Sequence, residues 1–149
     1  MSLKLDKNKK YLLACSFGPD SMALFGMLRK EGYKFEVAHV NYGLRKEAKD
    51  ETENLKTYCE TLGVKLYILR VKEMEQKGNL EAECRKIRYT FFAKVLKKAG
   101  LDAVLVAHNE DDVIETFIMQ KNRKSLVKHY GIAAKTKLCD AVVIRPILD

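Results

Sequence analysis

At 149 residues the chain is long enough for one domain with a buried core, and no apolar run approaches the ~20 residues of a membrane span, so a membrane-free protein is expected. A formal charge of +8 suits a polyanionic partner such as nucleic acid, with lysine densest at Lys4 to Lys10, Lys121 to Lys128, and Lys135 with Lys137. Cys15, Cys59, Cys84 and Cys139 lie far apart without a Cys-x-x-Cys pair or a His at finger spacing, which argues against a zinc site or dithiol centre and for buried thiols.

The amino terminus, Met1 to Asp6, lacks the apolar core of a signal peptide, and a cytoplasmic location is the expectation. Tyr11 to Cys15 is a short apolar run fit for a buried strand. A tight turn follows through Ser16-Phe17-Gly18-Pro19-Asp20-Ser21, and Met22, Phe25 and Leu28 then mark the inner face of a helix that Gly32 ends. Phe35 to Val40 predicts a second strand, closing in His39-Val40-Asn41-Tyr42-Gly43-Leu44-Arg45. Ala48, Thr52, Leu55, Cys59 and Leu62 alternate by four and three, which predicts an amphipathic helix over Glu47 to Leu62, capped by Gly63.

A third strand is expected from Val64 to Val71, then a polar loop from Lys72 to Gly78, then a helix capped by Asn79. That helix carries Leu80, Cys84, Ile87, Phe91 and Val95 on one face and ends at Gly100, with Arg85 and Arg88 in its first half. Ala103 to Ala107 reads as a buried strand, followed by His108-Asn109-Glu110-Asp111-Asp112 and a short helix through Ile114, Phe117 and Ile118. The remaining chain offers one strand, Ala141 to Ile144. Strands alternating with long helices imply right-handed crossovers and an α/β, doubly wound, mainly parallel sheet covered on both faces.

A loop that opens a helix is an anion site, because first-turn N–H groups have no intrahelical partner and the helix dipole favours negative charge there. Ser16 and Ser21 add hydroxyl donors. Polar residues crowd three strand ends, Ser16 to Ser21, His39 to Arg45 and His108 to Glu115, and in a doubly wound sheet these ends share one rim and can converge on one ligand. The plain alternative is three solvated loops.

Ser16-x-Gly18-x-Asp20-Ser21 resembles the Ser-Gly-Gly-x-Asp-Ser loop of ATP pyrophosphatases that adenylate their substrates, with Phe17 in place of the first Gly. His39-Val40-Asn41-Tyr42-Gly43-Leu44-Arg45 is similar to the His-Val-Asn-His-Gly-Leu-Arg of tRNA(Ile)-lysidine synthetases. So are Asn79-Leu80-Glu81-Ala82-x-x-Arg85-x-x-Arg88-Tyr89, Ala107-His108-Asn109-x-Asp111-Asp112-x-x-Glu115-Thr116 and the closing Arg145-Pro146-Ile147-Leu148 to further motifs of that family. The resemblance implies an adenine nucleotide alpha hydrolase-like sheet of about five strands. It implies an ATP- and Mg²⁺-using ligase that adenylates C2 of the wobble cytidine of tRNA(Ile) and joins free L-lysine to it. The family's carboxyl-terminal tRNA-recognition region has no counterpart in residues 1–149, so one catalytic domain is expected.

By the same resemblance Ser16, Phe17, Gly18, Pro19, Asp20 and Ser21 hold the phosphates, with His39 and His108 also at the nucleotide. Asp20, Arg88 and Asp112 are the catalytic candidates, Asp20 and Asp112 the Mg²⁺ ligands, and Asn41, Arg45, Arg85, Asp111 and Glu115 the substrate contacts. Several have an ordinary alternative. Asp111 and Asp112 favour a helix amino terminus through capping and dipole, His39 fits a hydrogen-bonded core histidine, and Arg85 fits a surface ion pair. A Phe avoids positive φ, so an extended Phe17 with its ring turned into an apolar gap is the expected geometry. The rival assignments are another ATP pyrophosphatase such as a tRNA thiolase, whose members commonly carry the Cys-x-x-Cys absent here, and an ATP-binding module without chemistry. Oligomeric state is open, a homodimer among the options.

Overall fold

Tyr11, Leu12, Leu13 and Ala14 are buried in succession, as only a strand covered on both faces requires, and β1 (Lys10–Ala14) accordingly lies inside the sheet. The structure is a computed structural model, and it describes residues 3–43, 47–71, 80–107 and 134–146. In chain order the elements are β1, α1 (Pro19–Lys30), β2 (Lys34–Asn41), α2 (Glu47–Leu62), β3 (Leu66–Arg70), α3 (Leu80–Ala99), β4 (Ala103–Leu105), β5 (Ala134–Leu138) and β6 (Ala141–Arg145). They build a six-stranded sheet in the order β3-β2-β1-β4-β6-β5, parallel except for the antiparallel β5–β6 pair.

Side-chain alternation sorts the core into two layers. Tyr11, Leu13 and Cys15 of the first strand region, with Val37, Leu105 and Ala107, pack with Leu24, Phe25 and Leu28 of α1 and Leu55 and Cys59 of α2. Leu12, Ala14, Ala38, Val104, Val106 and Val143 pack with Tyr89, Phe92, Val95 and Leu96 of α3. Helices therefore cover both faces, as the doubly wound expectation required. Among the described residues no helix is long and apolar enough to cross a membrane.

The helix over Glu47 to Leu62 stands where its periodicity placed it, with Thr52, Leu55 and Cys59 buried. On α3 the buried stripe is instead Tyr89, Phe92, Val95 and Leu96, while Cys84, Ile87 and Phe91 are half-buried. Apolar residues occupy most of that helix's circumference, so spacing alone supported two phases and the aromatic row won.

The sheet has one strand more than the expected five, because residues 134–138 form an edge strand. Lysines at alternate positions of Ala134–Leu138 hide it from a hydrophobicity pattern, and such lysines suit an exposed edge. Its hairpin turn is Cys139-Asp140, with φ of 48° and 69°, the positive values that a two-residue connection of right-twisted strands demands. The loop over Lys72 to Gly78, the Asn79 cap and the short helix through Ile114 lie outside the described residues.

Candidate active site

From β1 the chain proceeds outward to β2 and β3, then returns to lay β4 on the other side of β1, with Leu13 level with Leu105. This reversal is a topological switch point, the place beyond the strands' carboxyl ends where open α/β sheets bind ligands. The loop Ser16–Ser21 emerges at that place. Pro19 stands at the start of α1, where its missing N–H costs nothing, and Asp20 lies in the first turn, exposed. Gly18 is the N-cap and makes no side-chain cap.

The loop is bonded to itself through its two hydroxyls. Ser16 N–H donates to Ser21 Oγ at 3.3 Å, Gly18 N–H donates to Ser16 Oγ at 3.4 Å, and Ser21 Oγ donates to Gly18 O at 3.3 Å. These are long hydrogen bonds, weak enough for the donors to turn to a charged acceptor. A Cβ at Gly18 would meet Ser16 Oγ at 3.2 Å, tight by a few tenths of an ångström, while its φ of −82° is open to any residue.

Phe17 adopts φ +63°, and the expected extended geometry is overturned. Its ring nevertheless packs against the cluster around Leu24 and Phe25, half-buried. Left-handed backbone costs a bulky residue about 1–2 kcal/mol. Burial of the ring and the hydroxyl bonds on either side offset that cost; the ring's place against apolar residues is as expected, and the backbone sign is not.

His39, at the end of β2, is buried with both ring nitrogens engaged. Nδ1 lies 2.8 Å from the carbonyl oxygen of Cys15, and Nε2 lies 2.8 Å from Thr52 Oγ1 on α2. A carbonyl can only accept, so Nδ1 carries the proton and Nε2 accepts from the Thr52 hydroxyl in the neutral ring. Burial pushes the imidazole below its ordinary value of 6.5; the Cys15 carbonyl and Glu51 pull upward and Arg70 adds to the depression. His39 thus holds the root of the loop from beneath. Thr52 was seen in the sequence only as a neutral member of a helix stripe; a hydroxyl between Ala48 and Leu55 on that stripe was the available signal.

Asn41 Oδ1 accepts from Gly43 N at 2.8 Å, fixing the turn in which Gly43 has φ +67°. Tyr42 Oη donates to the Cys84 carbonyl at 3.1 Å and so ties the end of β2 to α3 beside Arg85. Arg85 and Arg88 stand over the ring of Tyr89, 5.6 and 5.4 Å from its centroid, and the nearly buried Arg145 donates to Tyr89 Oη at 3.3 Å. Three guanidinium groups are gathered about one phenol at the carboxyl half of the fold. Arg45, His108, Asp111, Asp112 and Glu115 lie outside the described residues.

Among the described residues no group of three or more His, Cys, Asp or Glu could hold a metal. Asp20 at the loop still fits Mg²⁺, which binds through one or two carboxylates together with substrate phosphates. The cysteines are dispersed: Cys15 and Cys59 are buried, Cys84 half-buried and Cys139 exposed. Burial pushes the Cys59 thiol up to about 11, away from the thiolate form that ligates metals.

A six-stranded doubly wound sheet with an anion-suited loop at its switch point defines a nucleotide-binding class of α/β domain. The PP-loop domain family matches residues 2–149, and the chain belongs to that family. It is 37% identical over 149 residues to the tRNA(Ile)-lysidine synthase of Mesoplasma florum, covering 98% of this chain and 37% of the relative. It is 36% identical to the enzyme of the same name from Mesomycoplasma hyopneumoniae, covering 99% of this chain and 49% of the relative. The chain thus spans half or less of these relatives' length. A U34-tRNA thiolase from Methanococcus maripaludis, solved with its [4Fe-4S] cluster, shares the fold with a TM-score of 0.62 and 22% identity over 83% of this chain and 46% of that one.

Proposed function

We propose that this domain binds ATP across the carboxyl rim and adenylates the wobble cytidine of tRNA(Ile), after which free lysine displaces AMP to give lysidine. The observation that carries the proposal is the Ser16–Ser21 loop, which opens α1 at the switch point. The names of the relatives supply the substrate, and the net charge of +8 suits an RNA.

In the first step O2 of the base attacks the α-phosphorus, the bond to the β-phosphate oxygen breaks, and pyrophosphate leaves. The loop's hydroxyls and first-turn amides hold the departing phosphates as charge builds on them. Asp20 and Asp112 would hold Mg²⁺, which would neutralise phosphate charge. Arg88 is assigned the same task at the α-phosphate, and His108 a contact with the nucleotide. In the second step the lysine ε-nitrogen attacks C2, the bond to the AMP oxygen breaks, and the nitrogen gives up a proton to a carboxylate of the 111–115 segment. Arg45, Asn41, Arg85, Asp111 and Glu115 are assigned to the nucleoside and the incoming lysine.

Pyrophosphate release from ATP by this chain, with tRNA(Ile) and lysine present, tests the assignment. Release that requires tRNA(Ile), with lysine incorporated into the RNA, is expected. Release that ignores lysine and answers to a sulfur donor would transfer the chain to the thiolases. The dispersed cysteines, with Cys59 held protonated, favour lysidine formation over sulfur transfer.

A further inference from the structure

Thr52 is buried in the middle of α2, one helix away from the loop, and nothing in the proposed chemistry uses it. Its hydroxyl meets His39 Nε2 at 2.8 Å, and the opposite ring nitrogen meets the Cys15 carbonyl at 2.8 Å. Cys15 N–H in turn donates to the Ala38 carbonyl at 2.9 Å, so the residue that launches the loop is held on both sides by β2. Immediately beyond it Ser16 N–H reaches Ser21 Oγ, and Phe17 takes its positive φ.

We propose that Thr52 and His39 are positioning residues, a buried relay from α2 through β2 that fixes the Cys15 carbonyl and with it the orientation of the phosphate loop. The inference rests on the assignment of ATP to that loop. It gives His39 a task other than contact with the nucleotide. A peptide plane has one rotation about its flanking Cα atoms; pinning the Cys15 carbonyl therefore also sets the direction of the following Ser16 N–H. That N–H is a loop donor. The relay works in one direction only, since Thr52 must give its proton to Nε2 while Nδ1 gives its own to the carbonyl. It also explains why a residue as bulky as Phe17 keeps a left-handed backbone: the chain entering it is not free to rotate away.

The test compares Thr52→Val, which keeps the shape and removes the hydroxyl, with Thr52→Ser, which restores it. Two readouts are used on the whole chain: calorimetric titration with Mg-ATP, and hydrogen exchange of the amides of residues 16–18 without nucleotide. Thr52→Val is expected to weaken ATP by about tenfold and to speed exchange at Ser16 and Gly18, with Thr52→Ser returning both to within about threefold of wild type. A general loss of packing would affect Val and Ser variants alike, or the exchange of β3 as much as the loop. Unchanged loop exchange in Thr52→Val would overturn the relay whatever ATP does. If the wild type binds no ATP, the nucleotide assignment fails, and the exchange data still decide the relay.

Discussion

Among the described residues two turns hold non-glycine residues at positive φ, and they do so for different reasons. At Cys139-Asp140 both residues are exposed, and the left-handed values of 48° and 69° are what the strand twist requires of a two-residue hairpin. At Phe17, φ is +63° with no hairpin to require it; the strain is imposed by the fold, through a ring packed on the α1 core and a loop root pinned by His39. Strain with a local geometric cause explains itself. Strain without one points to what the loop is shaped to hold.

The largest effect that separates the turns is chemical. Asp20→Asn should lower pyrophosphate release by about 100-fold or more with no change in melting temperature, as loss of a charge that acts on the phosphates demands. Asp140→Asn should leave release unchanged. Equal effects of the two substitutions would dissolve the distinction.

Stability differences come next. Phe17→Ala loses ring burial and keeps the strain, a cost of about 1–3 kcal/mol by denaturant titration. Phe17→Gly relieves the strain and should be about 1 kcal/mol more stable than Phe17→Ala, with ATP affinity within tenfold of wild type. At the hairpin, Asp140→Gly exchanges a tolerated left-handed residue for a free one, and a change of only a few tenths of a kcal/mol is expected, at about 0.5 or less. A Phe17→Gly variant no more stable than Phe17→Ala would mean that the backbone there carries no strain.

The smallest effect concerns acidity. His39 has its value lowered in the fold, so the unfolded chain binds the proton first. Its contribution to stability is full above the ordinary 6.5 and is lost as pH falls from there toward the depressed folded value. Denaturant midpoints measured from pH 7.5 downward should show the decline, and His39→Gln should flatten it. The hairpin holds no histidine and contributes nothing to that window.

How much was legible follows from what each signal encodes. Hydrophobic period gave β1, β2 and α2 to within a residue or two, because each presents one unambiguous apolar pattern, while α1 begins at Pro19, inside the turn expected through Ser21. It misplaced the face of α3, where Tyr89, Phe92 and Leu96 compete with Cys84, Ile87 and Phe91 at the same spacing. It missed β5, whose alternate lysines belong to a sheet edge rather than a core. The loop Ser16–Ser21 was visible as a strand-to-helix turn with hydroxyls, but its dihedral at Phe17 was not, since contacts from β2 and α1 hold the backbone there. The polar relay from Thr52 to Cys15 likewise joins three elements, and no local pattern announces it.

The central claim is that the Ser16–Ser21 loop holds the phosphates of ATP. Calorimetric titration of the whole chain with ATP and with AMP, both with Mg²⁺, addresses it most directly, alongside the Ser21→Ala variant. ATP should bind at least about tenfold tighter than AMP, and Ser21→Ala should erase most of that difference while leaving AMP affinity unchanged. Equal affinities for ATP and AMP, or a preference for ATP that survives Ser21→Ala, would contradict it.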